Sequence, residues 1–113
     1  MMKWYSELFL GAGVRDRAEE IIRQAASEQF ERGLHLITLA PNGIDQLNIQ
    51  NMDLLIGKSR ALRHMPPVVG IASGKDEAIE VVAAIARTVY ETQGDGNLRQ
   101  YFLAHMDARA EGV

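Results

Sequence analysis

Three short and almost uninterrupted apolar segments constrain this chain more than any other feature of its sequence. They cover residues 4–10, 34–40 and 68–72. Each is followed by a turn that contains glycine, namely Gly11-Ala12-Gly13, Pro41-Asn42-Gly43 and Ser73-Gly74-Lys75. Such runs of aliphatic, β-branched and aromatic residues are typical of strands. Because a strand that is apolar on both sides must be covered on both faces, the pattern predicts a buried sheet between helices.

The segments between these strands predict helices. Apolar residues recur every three or four positions over residues 14–32 and 75–92, and a shorter helix is expected over 97–108. Ser73 followed by Asp76 resembles a capping box at the start of the second of these helices. Residues 44–63 fit two structures, and we expect a short extended piece over 45–49 followed by a helix over 51–63.

This alternation predicts an α/β fold, a small sandwich in which helices pack on a sheet of three to four strands, mainly parallel. The alternative is an α+β, ferredoxin-like sheet, in which residues 45–49 form a full strand that pairs through the Pro41-Asn42-Gly43 turn. We expect a single domain over residues 1–109 and a frayed tail over residues 110–113.

The composition excludes several classes of function. The 113 residues contain no cysteine, so disulfides, thiol nucleophiles and cysteine-ligated metals are excluded. A net charge of −3 makes nucleic acid an improbable partner. No apolar run approaches the roughly 20 residues that cross a membrane. We therefore expect a cytoplasmic protein without a membrane partner.

The turns predict where a ligand would bind. If all three strands are parallel, the three turns meet at the carboxyl edge of the sheet, where open α/β sheets bind ligands. Two of the turns lead into helices, whose free amides and positive dipole ends favour an anion. The sequence thus predicts a site for a small anionic molecule, with nine candidate ligand-binding residues: Gly11, Gly13, Arg15, Arg17, Asn42, Gly43, Ser73, Gly74 and Lys75.

Better-known motifs fail at specific positions. Asp16 stands where the dinucleotide fingerprint that begins Gly11-Ala12-Gly13 needs its third glycine. The phosphate-loop pattern ending in Lys75 is one residue short and lacks the hydroxyl that binds magnesium. His35, His64 and His105 are scattered, so we expect no metal and no cofactor. No residue is singled out as catalytic, although an enzyme that uses Asn42, Asp45, Ser73 or Asp76 at the same edge is the alternative.

The helix over residues 77–92 is apolar nearly all round, although a helix on one side of a sheet needs a single apolar stripe. One set of side chains, Ala78, Val82, Ile85 and Val89, can face the sheet. A second set needs another cover: Ile79, Ala83, Ala86 and Tyr90. The sequence therefore predicts a homodimer through the helices 77–92 and 97–108, with intramolecular packing against the last helix as the alternative.

These observations predict a small binding or regulatory module that is dimeric and holds a small anionic ligand at one edge of its sheet. A purely structural interaction domain remains a further alternative. The chemistry of any reaction is not specified by the sequence.

Overall fold

A computed structural model describes residues 2–40, 47–94 and 96–105. Within these ranges four strands form one mixed sheet, in the order β1-β4-β2-β3. They are β1 (Trp4–Leu10), β2 (Leu34–Leu39), β3 (Leu47–Asn51) and β4 (Val68–Ser73). β1 and β4 are parallel neighbours, whereas β2 is antiparallel to both β3 and β4.

The helices flank the sheet on its two faces. They are α1 (Ala18–Ala25), α2 (Ser59–Arg63), α3 (Lys75–Gln93) and α4 (Leu98–His105). Short 3-10 turns precede α1 and α2, at Arg15–Arg17 and Met52–Leu54. The strands and α3 thus lie close to the positions predicted from the sequence.

The expectation of a mainly parallel sheet is wrong, and the α+β alternative fits. The β2–β3 ladder pairs Leu39 with Leu47 and His35 with Asn51, which makes the ambiguous segment a full strand. All six residues of β2 are buried because the strand is central and covered on both faces. A central strand of a mixed sheet therefore has the same continuous apolar sequence as a parallel one.

Two core layers lie on opposite faces of the sheet. Leu34 and Leu36 point into a layer with Ile21 of α1 and Leu62 of α2. The other layer contains buried side chains from β2, α3 and α4, including Ile37, Leu39, Val81, Ile85, Val89 and Phe102. Because neighbouring residues of a strand point to opposite faces, β2 contributes to both layers.

Two predicted helices are shorter than expected. The helix predicted over 14–32 ends at Ala25. The residues that follow are exposed until Phe30, which packs partly against the core, so they offer no apolar face to extend the helix. Glu28 also adopts a positive φ of 58°. The helix predicted over 51–63 is interrupted at Gly57, which has a φ of 79°. Asn51 instead caps a 3-10 turn by accepting a hydrogen bond from the amide of Asp53.

The last helix belongs to the α3 side of the sheet. Phe102 is fully buried and meets Tyr5 of β1 edge-on, with ring centroids 4.9 Å apart. Burial raises the pKa of the Tyr5 hydroxyl, and a hydrogen bond with Tyr101 adds to the shift. Leu98 is buried in the same layer. α4 therefore covers the part of the sheet that lies next to β1.

Candidate functional site

The turns after β1 and β4 lie side by side because these two strands are parallel neighbours. Leu10 pairs with Ile71, and the amide of Gly11 donates to the carbonyl oxygen of Ile71 at 2.9 Å. The structure thus brings Gly11 and Gly13 close to Ser73. We call this part of the sheet, formed by Gly11–Gly13 and Ser73–Lys75, the β1–β4 edge.

The strand that leads to the third predicted turn runs away from this edge. Leu34, at the start of β2, pairs with Ser73 at the end of β4, so β2 runs the opposite way and ends at the opposite edge of the sheet. The predicted contribution of Asn42 and Gly43 to one common site assumed a β2 strand parallel to β4, and it stays a prediction. Both residues, like Asp45, lie outside the described residues.

Gly33, just before β2, lies at the β1–β4 edge, where the third turn was expected. The amide of Gly74 donates to the carbonyl oxygen of Gly33 at 2.8 Å, and Nδ1 of His35 lies 2.8 Å from the same oxygen. The amide of Gly33 donates to the carboxylate of Asp53 at 3.1 Å. These hydrogen bonds tie the start of β2 to the β1–β4 edge and to the turn after β3.

The carboxylate of Glu77 occupies the middle of the β1–β4 edge. It accepts hydrogen bonds from the amide of Gly13, at 3.1 and 3.2 Å, and from the amide of Ser73, at 3.0 Å. Glu77 lies in the first turn of α3, where the helix dipole also favours a negative charge. The edge therefore does hold an anionic group, but that group belongs to the protein itself.

The two glycines of the first turn leave room for this carboxylate. A Cβ atom on Gly11 would lie 2.0 Å from Oε1 of Glu77, and one on Gly13 would lie 3.0 Å from Oε2. Gly11 is also buried, so the side chain of Glu77 fits closely over the turn. The glycines that resemble a dinucleotide fingerprint thus permit an internal contact.

Glu77 replaces the capping box predicted from Ser73 and Asp76. The N-cap residue of α3 is Gly74, with a φ of 90°, and no side chain donates or accepts there. Asp76 is exposed, and it is Glu77 that reaches back to the amide of Ser73. Gly74 could adopt this backbone conformation at little cost because it has no Cβ atom.

The three predicted cations differ in their surroundings. The guanidinium of Arg17 donates a hydrogen bond to the carboxylate of Glu31 at 2.7 Å. This hydrogen bond is the main cause of a raised pKa of Arg17, and the negative charge of Glu31 adds to it. Arg15 and Lys75 are exposed. Arg17 is therefore engaged away from the turn, and Arg15 and Lys75 are the cations left to attract a ligand.

Of the residues proposed for an enzyme, Ser73 and Asp76 lie among the described ones, and both are exposed. Nowhere in residues 2–40, 47–94 and 96–105 do three His, Asp or Glu side chains form a group that could hold a metal ion. In the same ranges, no helix combines the length and the apolar character needed to span a bilayer.

A second candidate site lies on the outside of α3. Ala78, Val81, Ile85 and Val89 are buried against the sheet. A neighbouring stripe of the helix is exposed, and we call it the outer face of α3: Ile79, Ala83, Ala86 and Tyr90. The exposed fraction is 51% for Ile79 and 62% for Tyr90. The two apolar sets predicted for this helix are thus present, except that Val81 is buried against the sheet and Val82 only partly.

The outer face is turned toward β3. Glu77 lies on the opposite flank of the helix and reaches the turn after β1, and β1 and β3 are the two outer strands. α4 covers the β1 side through Leu98 and Phe102, so these two apolar residues are used within the chain. Met106, further along the helix predicted over 97–108, lies outside the described residues.

Three residues at or beside the β1–β4 edge were not predicted from the sequence: Glu77, Gly33 and Asp53. Glu77 follows Ser73 by four residues, a spacing that brings a side chain back over the start of its own helix. That spacing was a usable signal. The contact between Gly33 and Asp53 joins residues twenty apart and depends on the pairing of β2 with β3, so no local pattern indicates it.

Comparison with protein-family models, curated proteins and solved structures finds no match to this chain. The β1–β4 edge and the outer face of α3 are therefore the two surfaces from which a function can be proposed.

Proposed function

We propose that this protein is a small binding or regulatory module of the cytoplasm, and that it acts as a homodimer through the outer face of α3. The observation that carries the proposal is the exposure of Ile79 and Tyr90 together with the two alanines between them. Single exposed apolar residues are ordinary, but a continuous apolar stripe along one helix usually marks an interaction surface.

The structure favours α3 over α4 as the contact between subunits. Leu98 and Phe102 of α4 are already packed in the core, whereas four residues of α3 in one stripe are exposed. Burying apolar side chains contributes about 25 cal/mol per Å² of surface removed from water, which favours covering this stripe. We therefore assign the subunit contact to α3 and give α4 the task of supporting the core.

Light scattering at low micromolar concentration tests this proposal. The wild-type protein should have twice the 12.5 kDa mass of one chain. Ile79→Lys should reduce the mass to that of a monomer, because it places a charge in the contact. Ile56→Lys is the matched control, since Ile56 is 58% exposed and lies outside α3, and its mass should equal that of wild type. A wild-type monomer would refute the proposal.

A second candidate function is the binding of a small anion at the β1–β4 edge. The convergence of two backbone amides on one carboxylate favours it, because the same donors suit a carboxylate or phosphate of a ligand. Such a ligand would have to displace the side chain of Glu77. Arg15 and Lys75 would contribute the charge that makes the exchange favourable.

Thermal shift measurements with acetate and phosphate distinguish a binding site for an external anion from a purely structural contact of Glu77. In Glu77→Ala the amides lose their internal partner, so acetate should raise the melting temperature of this variant more than that of wild type. Glu91→Ala, which removes an exposed glutamate further along α3, should behave like wild type. Adding Lys75→Ala to Glu77→Ala should reduce the response. If neither anion stabilises Glu77→Ala, the edge is a structural contact and not a binding site.

A further inference from the structure

The spacing of the outer face of α3 shows how a second copy would fit. Its residues follow one another at intervals of four, three and four, which is the seam of a helix that pairs with another helix. The two large side chains, Ile79 and Tyr90, lie at the ends, and Ala83 and Ala86 lie between them. Small residues at the centre allow two helix backbones to approach closely.

The order of side-chain sizes along the seam (large, small, small, large) is the same in both directions along the helix. In a two-fold contact, residue i meets residue j and residue j meets residue i. An antiparallel pair of α3 helices places Ile79 against Tyr90 of the partner subunit, and Ala83 against Ala86 of the partner subunit. The four residues are therefore complementary to a second copy of themselves.

The charges beside this seam agree with the same arrangement. Glu80 and Arg87 both follow a seam residue directly, are seven positions apart on the same side of the seam, and are exposed. Charges at these flanking positions determine the orientation of paired helices. In an antiparallel pair, Glu80 lies beside Arg87 of the partner subunit, and the two-fold axis repeats the ion pair.

The sheet supplies a further surface to be covered. Ile49 of β3 pairs with Ile37, whose side chain packs in the core layer on the α3 side, so Ile49 points to that same side. It is 39% exposed at the outer strand. Since the outer face of α3 is turned toward β3, a helix laid along it would also cover Ile49.

We infer that the partner of this surface is a second copy of the chain, joined through an antiparallel α3–α3 pair with two Glu80–Arg87 ion pairs across a two-fold axis. The inference depends on the homodimer proposed above and specifies its geometry. Glu80 and Arg87 carry opposite charges on the same side of the seam, so this surface complements a second copy of itself. A surface for an unrelated partner would not need that self-complementarity.

Charge exchange between the two positions tests the geometry. Glu80→Arg and Arg87→Glu should each weaken the homodimer about tenfold, because each places like charges opposite one another at both ion pairs. When the two variants are mixed, both contacts become attractive, so heterodimers should form in preference to either homodimer. Native mass spectrometry or sedimentation of a mixture with one tagged variant measures that preference.

Matched controls keep the outcome clear. Glu19→Arg makes the same charge change on α1, which packs on the other face of the sheet, and should leave the dimer unchanged. Glu80→Arg with Arg87→Glu in one chain should restore wild-type affinity. If wild type is dimeric but the mixed variants show no preference for each other, the antiparallel geometry is refuted while the homodimer stands. If wild type is monomeric, both are refuted.

Discussion

On the β1 side of α3, Glu77 binds the amides of Gly13 and Ser73, and Phe102 of α4 fills the core beside it. On the β3 side of the same helix, Ile79 and Tyr90 are more than half exposed. One flank is anchored by hydrogen bonds and apolar packing from within the chain, and the other presents apolar side chains to the outside. One flank of α3 is therefore part of the core, and the other carries the exposed apolar side chains of the proposed subunit contact.

The largest effect should follow from removing the packing on the β1 side. Phe102→Ala should lower the free energy of unfolding by about 3–5 kcal/mol, because Phe102 is fully buried and makes edge-on contacts with Tyr5, Phe9 and Tyr101. Urea denaturation in the Ile79→Lys background measures the subunit alone. Tyr90→Ala in that background should change the value by less than about 0.5 kcal/mol. If Phe102→Ala and Tyr90→Ala lowered the free energy of unfolding equally, the two flanks of α3 would not differ in their contribution to the core.

A smaller effect is expected at the hydrogen-bonded end of the same flank. Glu77→Ala should cost about 1.5–3 kcal/mol, the typical value of hydrogen bonds to a charged group. Gly11→Ala should cost about as much in wild type, because its Cβ atom would lie 2.0 Å from Oε1 of Glu77 and displace the carboxylate.

The two changes should not be additive. Once Glu77→Ala has removed the carboxylate, Gly11→Ala should add less than about 0.5 kcal/mol, since the atoms in its way are gone. Chemical denaturation of the four proteins in this double-mutant cycle gives the coupling. Additive losses would mean that Glu77 does not occupy the β1–β4 edge in solution.

The smallest effect concerns the β3 side. Raising sodium chloride from about 50 to 500 mM should weaken the homodimer about two- to fivefold, because exposed ion pairs are screened while apolar contacts are not. Sedimentation equilibrium measures the change. The variant Glu80→Gln with Arg87→Gln, which has neither charge, should lose this salt dependence. An equal response of both proteins to salt would mean that the Glu80–Arg87 ion pairs are not part of the subunit contact.

The sequence predicts the elements of this fold better than their arrangement. β1 was predicted with its observed limits, and α3 to within one residue, because their apolar patterns are local. The direction of β2 was not predictable from its own residues, since full burial of Leu36 and Ile37 is required of any central strand. That one direction puts the end of β2 at the opposite edge of the sheet and brings Gly33 to the β1–β4 edge.

The predicted site for an anionic ligand stays a prediction, but one physical expectation behind it can be compared with the structure. Backbone amides and a positive helix end favour an anion at the β1–β4 edge, and the structure places a carboxylate there. The turns and helix ends predict the amide donors, but the predicted partner was an external molecule and Glu77 had no part in that prediction. The two apolar sets of α3 were identified from spacing alone, since helical periodicity fixes which residues share a face.

Nuclear magnetic resonance on a mixed sample of isotope-labelled and unlabelled chains tests the central claim most directly. Within one α3 helix, Ile79 and Tyr90 are eleven positions apart, a distance of about 16 Å that permits no direct magnetisation transfer between their side chains. The antiparallel pair predicts a cross-peak between the Ile79 methyl groups of one subunit and the Tyr90 ring of the other. A sample of dimer mass without that cross-peak, or a sample of monomer mass, would contradict the account.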